Sequence, residues 1–377
     1  MSANPMDRNH PALRALVDRV VDARVNHTKL CIRGSGSKAF YGEAPQGDLL
    51  DTRGLAGVSS YEPTELVVTA RCGTPLAELE ALLATKGQCL PFEPPHFGPI
   101  GKSQAERGAT VGGMVAAGLA GPARAAAGSV RDYVLGATML NGRGEVLTFG
   151  GQVMKNVAGY DVSRLLAGSL GTLGLILEVS MKVLPVAPAT LTLSLELDLV
   201  TTLAQLNAWG GQPLPLNASA WWRGNLLVRL SGAAAAVQAA RTRIGGELAA
   251  PADAEPFWRG LRDHGDEFFT AAHAALKGGA ALWRLSVPQT AAPLALGDDT
   301  LVEWGGAQRW LCSTEPAADV RAATAAVGGH ATLFKADDKS AGVFAPLSAP
   351  LARIHRELKT AFDPSGVFNP GRLYPSI

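Results

Sequence analysis

Cysteine is scarce and scattered. Cys31, Cys72, Cys89 and Cys312 are the only four in 377 residues, and no two form a C-x-x-C pair. That spacing supports neither an iron–sulfur cluster nor a zinc site built by this chain. An excess of one charge is missing too: 34 lysines and arginines stand against 33 aspartates and glutamates, a formal net charge of +1. Such a balance supplies no field to attract nucleic acid or an acidic lipid surface, so nucleic acid is not an expected partner. No stretch reads as a transmembrane span. The first 25 residues lack the apolar core of a signal peptide and read as an amphipathic helix, with Leu13, Leu16, Val17, Val20 and Val21 on one face. A reduced, cytoplasmic protein without a direct membrane span is expected. What is abundant is glycine, 43 residues, within a composition that is 47% hydrophobic. The length suggests two or three structural units and a substantial core.

The glycines gather at particular places. Residues 31–42, CIRGSGSKAFYG, start as an apolar run and break into glycine and serine. Gly34, Gly36 and Ala39 satisfy G-x-G-x-x-[G/A], yet that dinucleotide fingerprint needs a helix opening at its last position. Gly42, Pro45 and Gly47 follow at once, so no helix forms there. A strand over 29–32 is predicted, then a turn that is either an anion-binding nest of backbone N–H groups or an ordinary glycine turn. A strand over 66–70 and a helix carrying Leu76, Leu79 and Leu83 come next, with Gly87 at the stop. The four prolines of PFEPPHFGPIG, 91–101, forbid regular structure and leave an ordered loop or a surface linker. Residues 109–128 hold almost no large side chains, which suits close approach of backbone to something bulky, or else a mobile low-complexity stretch. Strands over 134–140 and 145–149 form a hairpin whose turn is assigned to Asn141-Gly142. Asp161 is placed to cap a helix over 162–167 that Gly168 closes, and from Leu177 the alternation predicts a half-solvated strand. Three glycine loops, near 34–36, 112–113 and 168–174, could together wrap one long phosphorylated ligand.

In order and spacing these segments resemble the flavoproteins with a vanillyl-alcohol-oxidase-type, or PCMH-type, FAD-binding domain. Arg33, Gly34, Ser35, Gly36 and Ser37 are similar to the loop that wraps the FAD pyrophosphate in that family. The second segment is similar through Thr110, Val111, Gly112 and Gly113 and on to Gly128, Ser129, Arg131 and Asp132. The third runs from Gly159, Tyr160 and Asp161 to Gly171 and Gly174, and the ending FNPGRLYP looks like the return segment that brings Asn369 toward the flavin. The resemblance implies that these residues bind FAD. Ser37 stands where covalent members carry the attachment histidine, which implies non-covalent FAD. For Arg131 and Asp161, surface ion pairing and helix capping remain equal alternatives.

Residues 190–345 read as a second unit. A β-α-β-β-α order, with strands near 218–222 and 226–230 and helices near 203–209 and 233–244, predicts a ferredoxin-like half-sheet. Strands near 282–287 and 310–313 and a helix near 319–327 suggest that the pattern repeats. The resemblance makes this unit a cap over the flavin. The expected fold class is therefore α+β: a two-subdomain PCMH-type FAD-binding domain over 1–188, a ferredoxin-like α+β cap over 189–345, and a C-terminal segment, 346–377, returning to the first domain. Trp221, Trp222, Trp283, Trp304 and Trp310 are read as core packing ahead of pocket lining.

Within the family, PFEPPHFG, the short cap and FNPGRLYP are most similar to the smaller FAD-binding subunits of bacterial glycolate oxidases. That implies a larger FAD-binding subunit and an iron–sulfur subunit as partners, and glycolate or a related 2-hydroxy acid as substrate. The histidine motifs of the larger subunits are missing. His264, His273, His330 and His355 stand apart and are read as structural, so no catalytic residue is assigned and no metal is expected. Three functions stay in view: a subunit of a glycolate dehydrogenase, a self-sufficient 2-hydroxy-acid dehydrogenase, and a non-catalytic scaffold. For the second, Arg223, Arg229, Arg284 and Arg309 are the candidate carboxylate anchors.

Overall fold

A computed structural model describes residues 9–98, 108–151, 161–297 and 299–377. Helix α1 (Pro11–Val25) opens on a proline and buries Leu13, Leu16, Val20 and Ala23, with Val17 and Val21 at the margin of the same face. Those side chains join a core with Leu30 of β1 (Leu30–Arg33) and Leu50 of β2 (Asp48–Asp51), two strands that pair in parallel. The connection between them holds the first glycine turn, which forms no helix.

A five-stranded antiparallel sheet follows. It comprises β3 (Val58–Glu62), β4 (Val67–Arg71), β6 (Val134–Leu140), β7 (Val146–Gly150) and β8 (Leu175–Lys182), in the order β3-β4-β8-β6-β7. A two-residue pair, β5 (Gln88–Cys89) with β9 (Leu184–Pro185), lies beside it. Helices α2 (Leu76–Ala84) and α3 (Val111–Ala117) cover one face. The strand expected to be half-solvated is instead the central one. Ile176, Val179 and Met181 of β8 enter the core shared with α2 and α3, and Leu175 and Leu177 enter the core shared with α1. Layers on both faces are a tertiary fact that an alternating pattern cannot report.

Two local readings also change. The bare stretch after Ala109 is a capped helix: the Thr110 hydroxyl accepts from the Gly113 N–H at 3.4 Å, and Gly118 ends the helix in the left-handed region at φ 65°. In the hairpin, Asn141 acts through its side chain, Oδ1 accepting from Arg143 N and Glu145 N at 2.9 and 3.0 Å. Gly144, at φ 82°, supplies the left-handed residue rather than Gly142. Gly142 is needed for another reason, because a Cβ there would collide with the Asp363 carboxylate. The proline segment is an ordered, buried loop as far as Gly98, with Phe92 and His96 fully enclosed.

The cap runs through β10 (Ala189–Glu196), α4 (Leu199–Gly210), β11 (Leu216–Trp222), β12 (Asn225–Gly232), α5 (Ala234–Ile244) and β13 (Glu247–Leu248). Helices α6 (Pro251–Asp263) and α7 (Glu267–Leu276) intervene before β14 (Ala281–Ser286), β15 (Thr300–Glu303), β16 (Gln308–Ser313), α8 (Ala317–Ala326) and β17 (His330–Lys335). One eight-stranded sheet results, in the order β13-β10-β12-β11-β15-β16-β14-β17. Each half has the ferredoxin-like 4-1-3-2 order, and the halves join edge to edge where Ala220 and Trp221 face Glu303 and Val302. In the second half, the described residues of 287–299 form a loop where the first half has α4. The α+β class holds, with α6 and α7 as additions that the strand and helix pattern did not announce.

Helix α9 (Ala349–Phe362) carries the chain back to the first unit. Lys359 Nζ, almost wholly buried, donates to Asp363 Oδ2, Thr172 O and Phe368 O, each at 2.7 Å. Asp363 in turn accepts from Val367 N at 2.9 Å and Phe368 N at 2.8 Å. Removing one member of such a buried pair costs about 3 to 5 kcal/mol. Lys359→Met is therefore expected to lower unfolding stability by about that amount in urea titration, and a loss below about 1 kcal/mol would show that the pair does not hold the return segment.

Candidate functional site

The three glycine segments meet. A cleft with about 950 Å³ of empty space lies between the turn after β1, the N-terminal half of α3 and the loop before β8. Of the residues singled out in the sequence, Arg33, Gly34, Ser35, Gly36, Ser37, Thr110, Gly112, Gly113, Gly171, Gly174 and Asn369 line it. Val111 sits beside them but points into the core, fully buried. Gly128, Ser129, Arg131 and Asp132 are not brought to the cleft. Ser129 and Asp132 instead form a reciprocal capping box at the helical turn Val130–Tyr133, and Arg131 is exposed. Asp161 caps the turn Val162–Leu165, accepting from Arg164 N at 3.3 Å. Gly159 and Tyr160 lie outside the described residues.

Most of the lining glycines are demanded by the protein itself. A Cβ on Gly112 would lie 2.6 Å from the Cys72 Cβ, and one on Gly171 would lie 2.8 Å from Asn369 Nδ2. On Gly34 it would collide with the Thr110 hydroxyl, and on Gly174 with Met139. Gly113 differs: within 4 Å its Cβ would meet nothing but Thr110 Oγ1, at 3.1 Å. Asn369, left-handed at φ 39°, spends its amide on backbone, Oδ1 accepting from Ile32 N at 2.7 Å and Nδ2 donating to Leu170 O at 2.6 Å.

Sequence reasoning missed two cations on this wall. Arg372 donates from Nη2 to Ala39 O at 2.8 Å and Tyr41 O at 2.6 Å, while its buried Nη1 has no partner. Lys38 also lines the cleft, where burial holds its ammonium down to about 8 against the charges of Asp263 and Glu80. Arginine at 372 was visible within NPGRLYP, but nothing in the sequence aimed it back at the first loop. An unsatisfied guanidinium N–H, a second cation and a wall of glycine backbone fit an anionic, elongated group such as the pyrophosphate of a dinucleotide.

The cap closes over the same loop. Phe40 meets Phe97 and Phe334 edge-on at 5.4 Å, and Tyr41 meets Phe334 at 5.3 Å. Lys339 donates to Phe40 O and Gly42 O, and Glu43 accepts from Val343 N at 2.6 Å. A second space of about 960 Å³ opens on the far side of Ser35–Ser37, and His264 and His273 both line it. His264 is packed into the aromatic core of the cap, among Phe97, Phe269, Trp310 and Phe334. It stacks on Phe269 at 3.6 Å and is held well below its usual pKa by burial and then by the charges of His273, Lys335 and Arg284, so its ring is neutral. The tryptophans are mainly core, as read: Trp221, Trp283 and Trp310 are buried, although Trp310 also borders a third space. Among the described residues no group of three or more histidines, cysteines or acids is placed to hold a metal, and no helix is long and apolar enough to cross a membrane.

Comparison with known proteins identifies the family. The FAD binding domain family matches residues 13–150. Glycolate oxidase subunit GlcE of Escherichia coli is 48% identical over 364 residues, 97% of this chain and 98% of that protein. The chain belongs to the GlcE family. FAD is thus the cofactor of this GlcE-family chain. More distant relatives match less than half of the chain: glycolate oxidase subunit GlcD of Bacillus subtilis is 29% identical over 41% of this chain and 31% of its own length. D-lactate dehydrogenase of Archaeoglobus fulgidus is 32% identical over 41% of this chain and 33% of its own length. The solved structure of an alkyldihydroxyacetonephosphate synthase superposes with TM-score 0.65 over 95% of this chain and 74% of that one, at 16% identity, which places both in one fold.

The glycine geometry separates cofactor binding from folding. Gly113→Val adds bulk at the cleft against one neighbour, the Thr110 hydroxyl, which can rotate aside, so it is expected to cut FAD retention at least tenfold while the apoprotein melts within a few degrees of wild type. Gly112→Val drives a branched side chain into Cys72 and is expected to cost about 1 to 3 kcal/mol in the apoprotein as well. FAD content and apoprotein melting, measured on both variants, check this; full FAD retention in Gly113→Val would remove the cleft from consideration.

Proposed function

We propose that this chain is the FAD-binding subunit of a multisubunit glycolate oxidase, in which glycolate is oxidised to glyoxylate and electrons leave through partner subunits, a larger FAD-binding subunit and an iron–sulfur subunit. The observation that carries the reading is the end-to-end relationship to GlcE, 48% over 97% of the chain, together with a cleft whose walls suit FAD. Residues 1–188 and 346–377 form the flavin-holding body in this reading, and 189–345 form its cover. Bound FAD supplies the acceptor for a hydride from the α-carbon of a 2-hydroxy acid.

The chain's own residues bind and enclose. Backbone N–H groups of the Arg33–Ser37 turn, with Arg372 and Lys38, hold the anionic part of the cofactor, each charged hydrogen bond contributing about 1.5 to 3 kcal/mol, while the N–H groups of Val111 and Gly112 are donated to Thr74 O and Cys72 O. Four or five such bonds retain a cofactor without a covalent link. Asn369 keeps the turn and the loop at Leu170 at a fixed separation, and Phe40, Phe97 and Phe334 exclude water from the cap side. Four scattered cysteines supply no iron–sulfur ligands, so onward electron transfer falls to another chain.

Two measurements test the reading. Purified protein is expected to be yellow and to release all its FAD on acid precipitation, since Ser37 offers no imidazole for attachment; flavin fluorescence that stays with the polypeptide on a denaturing gel would contradict this. Glycolate-dependent reduction of an external acceptor is expected only after the two partner subunits are co-expressed. Turnover by the chain alone, at a rate within tenfold of the complex, would move it to the self-sufficient dehydrogenases.

A further inference from the structure

The four candidate carboxylate anchors have different surroundings. Arg223 pairs with Asp299 on the surface at 3.3 Å, Arg309 lies buried against the carbonyls of Ala291 and Ala292, and Arg284 donates to the Tyr41 hydroxyl at 3.0 Å. Arg229 leads elsewhere. Its guanidinium pairs with Glu93 at 2.7 Å and lies over the Trp258 ring at 4.9 Å, and all three residues line a cavity of about 600 Å³ at the β10 edge of the cap sheet. That volume is ordinary for a small-molecule site, and the cavity shares no lining residue with the FAD cleft.

The cavity exists because the sheet edge is only partly covered. β13 pairs with Leu193 and Ser194 of β10, and the Ala249 N–H donates to Thr192 O at 3.0 Å before the chain enters α6. Ala189, Thr190 and Leu191 have no strand on that side, and side chains of α5 and α6 wall the gap. The alternation that turns the Thr192 carbonyl outward turns Thr190 outward as well, while Pro188 has no N–H to give. An added strand would gain little beyond the two backbone groups of Thr190, so the edge is a poor template for a peptide. The lining suits a small ligand instead. Leu191, Val237, Leu248, Ala249 and Ala254 make an aliphatic wall, and Leu248 is 49% exposed. The Trp258 indole N–H is already donated to Thr192 Oγ1 at 2.9 Å.

Four arginines and two glutamates also line the cavity, an excess of positive charge. Arg229 answers Glu93, Arg259 answers Glu255 at 3.2 Å, and Arg262 answers Asp263 at 2.9 Å. Arg241, in the last turn of α5, has no hydrogen-bond or ion-pair partner among the described residues. We propose that this cavity is a binding site for an amphiphilic anion, an aliphatic chain ending in a carboxylate, with the chain against Leu191, Val237, Leu248 and Ala254 and the carboxylate on Arg241. The site stands on its own lining and does not depend on the glycolate reading. Arg241 is exposed, so its charge orients the ligand and the buried chain supplies most of the affinity. An occupant also touches both units, because Glu93 belongs to the proline loop and accepts from Ala123 N at 2.8 Å. A filled cavity therefore ties the cap to the flavin-binding unit.

Decanoate below its micelle concentration, titrated into the FAD-loaded chain by calorimetry, tests the site. One saturable site is expected, with acetate, which lacks the chain, and octyl glucoside, which lacks the charge, each at least tenfold weaker. Arg241→Glu and Leu248→Glu are each expected to weaken decanoate at least tenfold, and Arg241→Lys less than threefold. Arg243→Glu, in the same turn but outside the lining, should match wild type. All three positions are exposed, and FAD content and melting equal to wild type certify each variant; if Leu248→Glu melts lower, Arg241→Glu carries the test. No saturable decanoate binding by wild type, or binding within threefold of wild type in the certified variants, overturns the site. Acetate or octyl glucoside binding as tightly as decanoate overturns the ligand class. If wild type ignores decanoate while Arg241→Glu prevents assembly with co-expressed partner subunits, the cavity holds a polypeptide and the proposal falls.

Discussion

Asn369 fixes one point through which three distant segments pass. Its amide accepts from Ile32 at the end of β1 and donates to Leu170 before β8, and its own N–H reaches back to Leu30 O at 2.9 Å. Each such bond contributes about 1 kcal/mol, so their strength is not what matters. Their geometry is: the amide sets the width of the cleft, and Gly171 must be glycine to leave it room. Asn tolerates the left-handed backbone required here better than most residues, because its short polar side chain bonds locally. Lys359 and Asp363 then determine where Asn369 can lie. The buried lysine ties the end of α9 to Thr172 O and Phe368 O, and the aspartate holds the turn between them.

The same geometry explains why the cleft is glycine-rich without every glycine touching a ligand. Gly34, Gly112, Gly171 and Gly174 let protein approach protein: turn against helix cap, helix against Cys72, loop against Asn369, loop against Met139. Close self-approach packs backbone along one wall, its helix-start N–H groups paired with Thr74 O and Cys72 O, and Arg372 and Lys38 add positive charge there. A preorganised wall of this kind needs little reordering when a ligand arrives.

Much of this was legible in the chain. Glycine and proline punctuation located the turn after β1, the stop of α2 and the proline loop, because those residues act through local backbone restrictions. The repeated β-α-β-β-α order revealed the duplicated cap for the same reason, since period and turn residues are local signals. What could not be read was set by tertiary partners. The β8 alternation says that Glu178 and Lys182 face alike, but not that helices lie on both sides of the sheet. Gly142 looked like the turn residue because Asn-Gly is the commonest short turn; its need arises from Asp363, more than 200 residues away. Among four arginines of equal standing in the sequence, only spatial partners distinguish Arg284.

The edge-to-edge joining of the two half-sheets decides what the cap offers to the first unit. Had each half closed separately, β11 and β15 would be edges with exposed backbone groups. Pairing them makes one long face and places β15, β16 and β14 side by side. Glu303, Trp310 and Arg284 therefore stand on adjacent strands, and cross-strand spacing brings them to one patch without any sequence motif. The loop that replaces a helix between β14 and β15 also supplies, at Ala291 and Ala292, the carbonyls that occupy Arg309. One arginine of the second half-sheet is thus neutralised by its own unit. Its neighbour on β14 is left to face the flavin-binding unit, where aromatic rings flank it and, among the described residues, no acid pairs with it.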